Sequence, residues 1–434
     1  MTPDAETAAA LDAADPLAHL RAEFEIPTHH DGSDETYLVG NSLGALPRRA
    51  RSHVATEIDR WGSSGVRGHF EGPTPWAAYH NDLIDPMADI VGALPAEVTV
   101  MNALTVNLHL LLVSFYRPSE NRHKILIEGH AFPSDHFAVE SQIRQRGFDP
   151  AESLVLVEPR HGEETLHVDD ILAAITEHGS SLAVILLPGV QYYTGQVLPI
   201  AEITRAGHAV GAAVGFDLAH AAGNIPMSLH DDGVDFAAWC TYKYLNSGPG
   251  SVAGAYVHER HLTNNDLPKF TGWWGTNPDT RFEMDTVFDP IPTVDSWQPS
   301  NSAILGLAAV RGSLEVFAGA GGMAALRTKS EQQIAYFDLL LDAHFSDRIE
   351  NITPRRMSER GCQFALRVLG ETPGRDVFDR LEGAGVACDW RHPDIIRVAP
   401  VPLYNTFVDI WRFTEILDSI LVDLAAAPAP SSDR

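Results

Sequence analysis

Between residues 98 and 257 the chain alternates short apolar runs with stretches of helical periodicity, and this alternation limits the folds open to it. Apolar runs fall near 98–102, 124–128, 153–157, 182–187, 212–216, 234–240 and 251–257. Helical patterns near 105–115, 134–146, 168–178 and 199–209 separate the first five. Such a series predicts a largely parallel seven-stranded sheet with helices on both faces, an α/β architecture. The last two runs follow each other closely, so one of them is predicted to be antiparallel. Upstream, helices are predicted at 47–62 and 75–93. After Pro290 the pattern shifts to helices at 301–318 and 323–344, strands at 362–368 and 394–399 around a helix at 375–383, and a final amphipathic helix at 406–424. The chain therefore reads as an N-terminal arm over 1–45 that packs with the small domain, a large domain over 46–300, and a smaller α+β domain over 301–434. APAPSSDR, 427–434, reads as a solvated tail.

In open α/β sheets, ligands collect where strands end. The run at 212–216 ends on Asp217, and the run at 234–240 ends on Thr241, Tyr242 and Lys243. A carboxylate and an amine delivered to one crevice suit pyridoxal phosphate, whose aldehyde forms an imine with lysine and whose ring nitrogen pairs with an acid. A solvated rim or an ordinary ion pair is the plainer reading. The chain has only four lysines, Lys124, Lys243, Lys269 and Lys329. Of these, Lys243 alone follows a buried-looking strand and precedes a Gly-rich turn, Ser247-Gly248-Pro249-Gly250.

Two strand-to-helix junctions offer further partners. Asn102-Ala103-Leu104-Thr105 presents free helix amides and the Thr105 hydroxyl, which can hold a phosphate or simply cap the helix. Phe132-Pro133-Ser134-Asp135 carries an aromatic ring that can cover a pyridine face or belong to the core. His220, in the DLAH segment with Asp217, either shapes the same pocket or is a structural histidine. Arg397 lies in an otherwise apolar run, where a charge needs a partner: a buried ion pair, or a substrate carboxylate that a planar guanidinium grips with two bonds.

A formal charge of −27 argues against nucleic acid or an anionic membrane as partners, and no apolar run approaches the length of a membrane span. Cys240, Cys362 and Cys388 make no disulfide framework and are expected as core thiols in a reducing cytoplasm. Twenty histidines appear without a metal-binding spacing, so no structural metal is expected.

Several blocks together resemble kynureninases: YLVGNSLG (37–44), MNALTVNLHLLLVSFYRP (101–118), FPSDHFAVESQ (132–142), residues 214–250, RGCQFALRV (360–368) and IRVAPVPLYNTF (396–407). The resemblance implies a fold-type-I, aminotransferase-like enzyme that uses pyridoxal 5'-phosphate to split kynurenine or 3-hydroxykynurenine hydrolytically, acting as a homodimer. It implies Lys243 as the imine lysine and Asp217 as the partner of the ring nitrogen. Leu104, Thr105, Ser134 and Tyr242 then fall among the cofactor contacts, with Phe132 stacked on the ring and Asp135 and His220 near it. Trp273 and Asn301 match further cofactor-pocket positions, although core packing and a helix cap are their ordinary roles. His69, Ser300 and Asn301 match residues that sort ring substituents, and Arg397 matches the carboxylate-binding arginine. All three ring-sorting positions are polar here, which points to 3-hydroxykynurenine as the preferred substrate. Pro188 departs from the pattern, standing where a small hydroxyl residue is expected. The rivals are another fold-type-I enzyme, such as a cysteine desulfurase, which needs a mobile reactive cysteine, and a catalytically silent ligand-binding relative.

Overall fold

The computed structural model describes residues 4–264 and 266–426, so the C-terminal eight-residue stretch read as a tail lies outside it. Seven strands form the main sheet: β1 (Val98–Val100), β2 (Lys124–Glu128), β3 (Leu154–Val157), β4 (Leu182–Pro188), β5 (Ala213–Asp217), β6 (Phe236–Trp239) and β7 (Gly254–Val257). Their spatial order is β1-β7-β6-β5-β4-β2-β3. β2 to β6 pair in parallel, and β7 runs antiparallel to both β6 and β1. Helices cover both faces, which is why these strands read as continuous apolar runs rather than alternating ones. Alternate residues of β4 feed different cores: Ile185 and Leu187 on one side, Val184 and Leu186 on the other.

The smaller sheet is antiparallel, with β8 (Ile349–Asn351), β9 (Phe364–Val368), β10 (Asp389–Arg391) and β11 (Ile395–Val398) in the order β8-β9-β11-β10. Its core takes in Phe337, Phe364 and Phe413 from three different elements. The helix Ile304–Gly319 does not belong to it. Leu307, Val310 and Leu314 are buried in the large core instead. Gly312 meets the helix Arg48–Ser64 so closely that a Cβ would lie 2.2 Å from the Ala50 backbone nitrogen. By packing, the C-terminal unit starts inside the helix Gly322–His344, later than the boundary at 301.

The arm packs against both units rather than the small one alone. Its helix Ala5–Ala14 lies against Phe407–Ala426, where the Asp12 carboxylate accepts the N–H groups of Phe407 (2.7 Å) and Val408 (3.0 Å). Thr36–Tyr37 pairs in parallel with Val386–Ala387 of the small domain. Leu17, Leu20 and Phe24 enter the large core, and Phe24–Glu25 pairs with Leu46–Pro47. A buried ion pair, Lys329 Nζ to Asp15 at 2.8 Å, holds the junction.

At the far edge of the main sheet, Glu97 is fully buried and its carboxylate accepts from His230 Nδ1 (2.9 Å) and the backbone N–H groups of Leu94 and Glu259. His258 stands 3.5 Å from the same oxygen. The cluster ties the start of β1 to the turn after β7. Among the described residues no single helix is long and apolar enough to cross a membrane.

Candidate active site

The carboxyl ends of β2, β4 and β5, with the loops after β1 and β6, enclose a cavity of about 310 Å³. This is the crevice where a doubly wound sheet collects ligands. Leu104, Thr105, Phe132, Ser134 and Asp135 line it, as do Asp217, His220, Tyr242 and Lys243. The sequence therefore located nine residues that the fold brings together.

The phosphate end is built by the two helix starts. The helix Leu104–Phe115 has Ala103, not Thr105, at its N-cap, and no side chain caps it. The helix Pro133–Gln145 likewise starts after Phe132 without a side-chain cap. Asn102 turns the chain out of β1 with a left-handed φ of 49°. The Thr105 and Ser134 hydroxyls meet at 2.6 Å, so both helix starts face one spot. Uncapped amides and two hydroxyls fit a phosphate dianion.

At the other end lie the charges. Lys243 Nζ stands 2.9 Å from His220 Nε2. Burial, then Lys243, pushes the His220 imidazole well below its ordinary range, so it is neutral and accepts from the ammonium. Its Nδ1 is buried without a partner. Burial raises the Asp217 carboxyl, opposed by the Ala219 N–H at 2.7 Å and by Lys243. Asp135 is raised well above its ordinary value by burial and by Asp217, and its Oδ1 is also unpartnered. Asp217, with a backbone donor and a nearby ammonium, is the charged member, and Asp135 is the protonated one. Unpartnered polar atoms in a cavity that also holds a flat aromatic ring and an anion cradle fit a phosphorylated pyridine aldehyde.

The turn that carries Lys243 rests on the arm. Tyr242 O accepts from Gly44 N–H at 2.8 Å. A Cβ on Gly44 would fall 2.4 Å from Lys243 O and 2.2 Å from Asn246 Oδ1, so only glycine lets the two backbones approach.

Sequence reasoning missed Glu128, Tyr192 and Arg391, which also line the cavity. Glu128 ends β2 as Asp217 ends β5, and the strand-end rule would have found it. Its buried carboxyl is pushed from 4.5 up to about 8, first by burial, against a hydrogen bond from Gln191. The group is protonated in the fold and ionised in the unfolded chain between those values. Its contribution to stability is thus full below 4.5 and is lost as pH rises through the folded value. In cofactor-stripped protein, Glu128→Gln should match the parent's Tm near pH 5 and exceed it by roughly 3 °C or more near pH 8.5. Equal melting temperatures at the higher pH would falsify this.

Five expected residues do not line the cavity. Arg397 is fully buried: its Nε donates to Asp389 Oδ1 at 2.6 Å, its second fork nitrogen to Oδ2, and the third to Tyr192 O. The geometry is that of the buried ion pair. Trp273 is half-exposed, with its Nε1 donating to Arg281 O at 3.0 Å. Ser300 and Asn301 are exposed, and His69 sits edge-on to Trp76 at 5.3 Å in another surface loop.

All three cysteines are buried, and burial raises each thiol, which leaves no reactive thiolate of the kind a desulfurase requires. The fold nevertheless resembles solved cysteine desulfurases. One from Escherichia coli superposes with a TM-score of 0.75 at 16% identity, covering 94% of this chain and 98% of that one. Another, from Thermococcus onnurineus NA1, gives 0.74 at 15%, covering 90% and 95%. The sequence relationship lies elsewhere. The kynureninase C-terminal domain model matches residues 326–417. Kynureninase of Xanthomonas campestris pv. campestris strain B100 is 54% identical over 413 residues, 95% of this chain and 97% of that protein. Kynureninase of Xanthomonas oryzae pv. oryzae strain PXO99A is 55% identical over 405 residues, covering 93% and 95%. With over half its residues identical along nearly its whole length, and with the lysine, the acid and the anion cradle meeting in one cavity, this chain belongs to the kynureninase family.

Proposed function

We propose that the protein hydrolyses kynurenines, cleaving the bond between the β-carbon and the ring-bearing carbonyl to release an anthranilate and L-alanine, with 3-hydroxykynurenine as the preferred substrate. The observation that carries the reading is the convergence of Lys243, Asp217 and two uncapped helix starts on one cavity. Thr105, Ser134 and the amides beside them would hold the phosphate of pyridoxal phosphate, Phe132 would cover its ring, and Lys243 would bind its aldehyde. When bound, that group supplies an electron sink for the pair left at the substrate's α-carbon. Asp217 would keep the ring nitrogen protonated. Asp135, uncharged, adds no second negative charge beside it. The Lys243 amine would take the α-proton, and the neutral His220 beside it would accept a hydrogen bond and orient it. Tyr242 and Lys243 are the groups placed to move protons while water adds to the side-chain carbonyl.

The hydroxyl preference rests on His69, Ser300 and Asn301, and their place outside this chain's own cavity goes with a second reading. Phe70 meets Phe282 at 5.3 Å, and Phe282 meets Trp273 at 5.3 Å, so two surface loops form one exposed aromatic patch beside His69. An apolar patch of that kind suits a protein interface. The protein is proposed to be a homodimer in which these loops complete the partner's site. The three buried thiols suit a reducing cytoplasm.

Specificity constants for kynurenine and 3-hydroxykynurenine test the preference. A ratio of about tenfold or more for the hydroxylated substrate is expected. Equal or reversed constants sink the preference, and no aromatic amine product from either sinks the activity. Light scattering should report two chains per particle, and Phe282→Glu should shift it toward one; a monomeric parent would refute the dimer.

A further inference from the structure

Among the described residues, one set of side chains outside the cavity brings three metal-ligating atoms within 4.8 Å of one another: Glu97, His230 and His258. They come from separate stretches, before β1, before β6 and after β7, so no local spacing marks them in the sequence. Glu97 is fully buried, and the side chains of His258 and His230 are 11% and 28% exposed. The backbone N–H groups of Leu94 (2.9 Å, to Oε2) and Glu259 (2.8 Å, to Oε1) fix the carboxylate, as the supporting hydrogen bonds of a metal site do. His230 Nδ1 meets the same Oε1 at 2.9 Å, and a proton between them accounts for that contact. It does not account for His258. The His258 Nδ1 accepts the Arg260 N–H at 3.2 Å, so it carries a bare electron pair, yet it stands 3.5 Å from Glu97 Oε1. Two acceptors that close repel, and a cation held by both removes the repulsion. The separations of 2.9 and 3.5 Å straddle the roughly 3.4 Å between neighbouring ligands of a tetrahedral zinc ion with bonds of about 2.1 Å. The nearby Arg260 is engaged by Asp235 at 3.0 Å, while Asp231 and Glu259 add negative charge around His230.

We propose that Glu97, His230 and His258 bind a zinc ion through one carboxylate oxygen and two imidazole nitrogens, with water completing the shell. The ion takes the place of the Nδ1 proton between His230 and Glu97. It clamps the edge strand β1 to the end of β7 and to the segment that enters β6. The site lies at the opposite end of β1 from Asn102 and Thr105, so its role is structural rather than catalytic. The test titrates zinc chloride into the cofactor-loaded enzyme, freed of metal by chelator and dialysis, beside His230→Ala and His258→Ala. The parent should retain about one zinc per chain after gel filtration, with a Kd of about 10 µM or lower. At about a tenfold excess over that Kd its Tm should rise by about 2 °C or more. Each variant should bind at least about tenfold more weakly and lose the rise in Tm. Uptake and melting need no turnover, so the result stands apart from the proposed activity. A parent that retains no zinc overturns the proposal. Uptake equal in the parent and both variants also overturns it, because the ion then sits elsewhere. Should a variant fail to fold, X-ray absorption of the zinc-loaded parent decides. Two imidazole nitrogens with a carboxylate oxygen uphold the site, and a sulfur ligand or fewer than two imidazoles overturns it.

Discussion

Lys243→Ala should abolish turnover, lowering kcat by about 10⁴-fold or more, the upper range for loss of a positioned acid–base group. No other amine can replace it. Lys124 opens β2 at the opposite end of the sheet, Lys269 lies over the Trp297 ring at 3.7 Å, and Lys329 is locked to Asp15. The variant should also lose the visible absorbance of covalently held cofactor while still binding it through the Thr105–Ser134 end. Lys243→Arg separates charge from chemistry: it keeps a cation beside His220 and should be equally inactive. Turnover within about a hundredfold of the parent in either variant would remove Lys243 from the mechanism.

The second large effect is expected at Asp217. Asp217→Asn keeps the shape and the Ala219 N–H contact but removes the charge that holds a proton on the ring nitrogen. A drop in kcat of roughly 10²–10³-fold is expected, with KM little changed, because the charge acts where negative charge develops. Asp135 supplies a second readout. Burial and Asp217 are the first two causes of its raised carboxyl, so removing the Asp217 charge should bring the Asp135 titration down. A bound-cofactor absorbance that titrates identically in parent and variant, with kcat within threefold, would contradict the assignment.

The residues at this site divide by how the fold presents them. Asp217, Lys243, Thr105, Phe132, Ser134 and Asp135 were legible because each follows an apolar run whose end is a cavity wall. Local pattern and position in the sheet coincide there. Glu128 obeys the same rule and was overlooked among ordinary strand-end acids. Arg391 and Arg397 are six residues apart in one hairpin, and their different fates depend on which of them sits opposite Asp389. That register is a property of the pairing, not of either run. His69, Trp273, Ser300 and Asn301 match family positions yet stand outside this chain's cavity, because a residue type at a matched position does not report where the loop that carries it lies. The helix expected at 301–318 is grouped with the small domain by its place after Pro290, whereas the contact at Gly312 of the observed Ile304–Gly319 binds it to the large core. The seven-stranded sheet was legible for the opposite reason: strands buried on both faces announce themselves locally.

The arm's attachments also bear on the order in which the molecule can be assembled. Tyr37 O accepts from Asn405 Nδ2 across 368 positions, and Thr36–Tyr37 finds its strand partner only at Val386–Ala387. Gly44, seven residues on, braces the turn of Lys243. During synthesis Gly44 emerges long before the Tyr242 carbonyl it braces, and longer still before Val386–Ala387, the strand that pairs with the arm. Contacts of such long sequence separation form late and slowly. The cavity, whose wall includes Arg391, can therefore be completed only as a closing step.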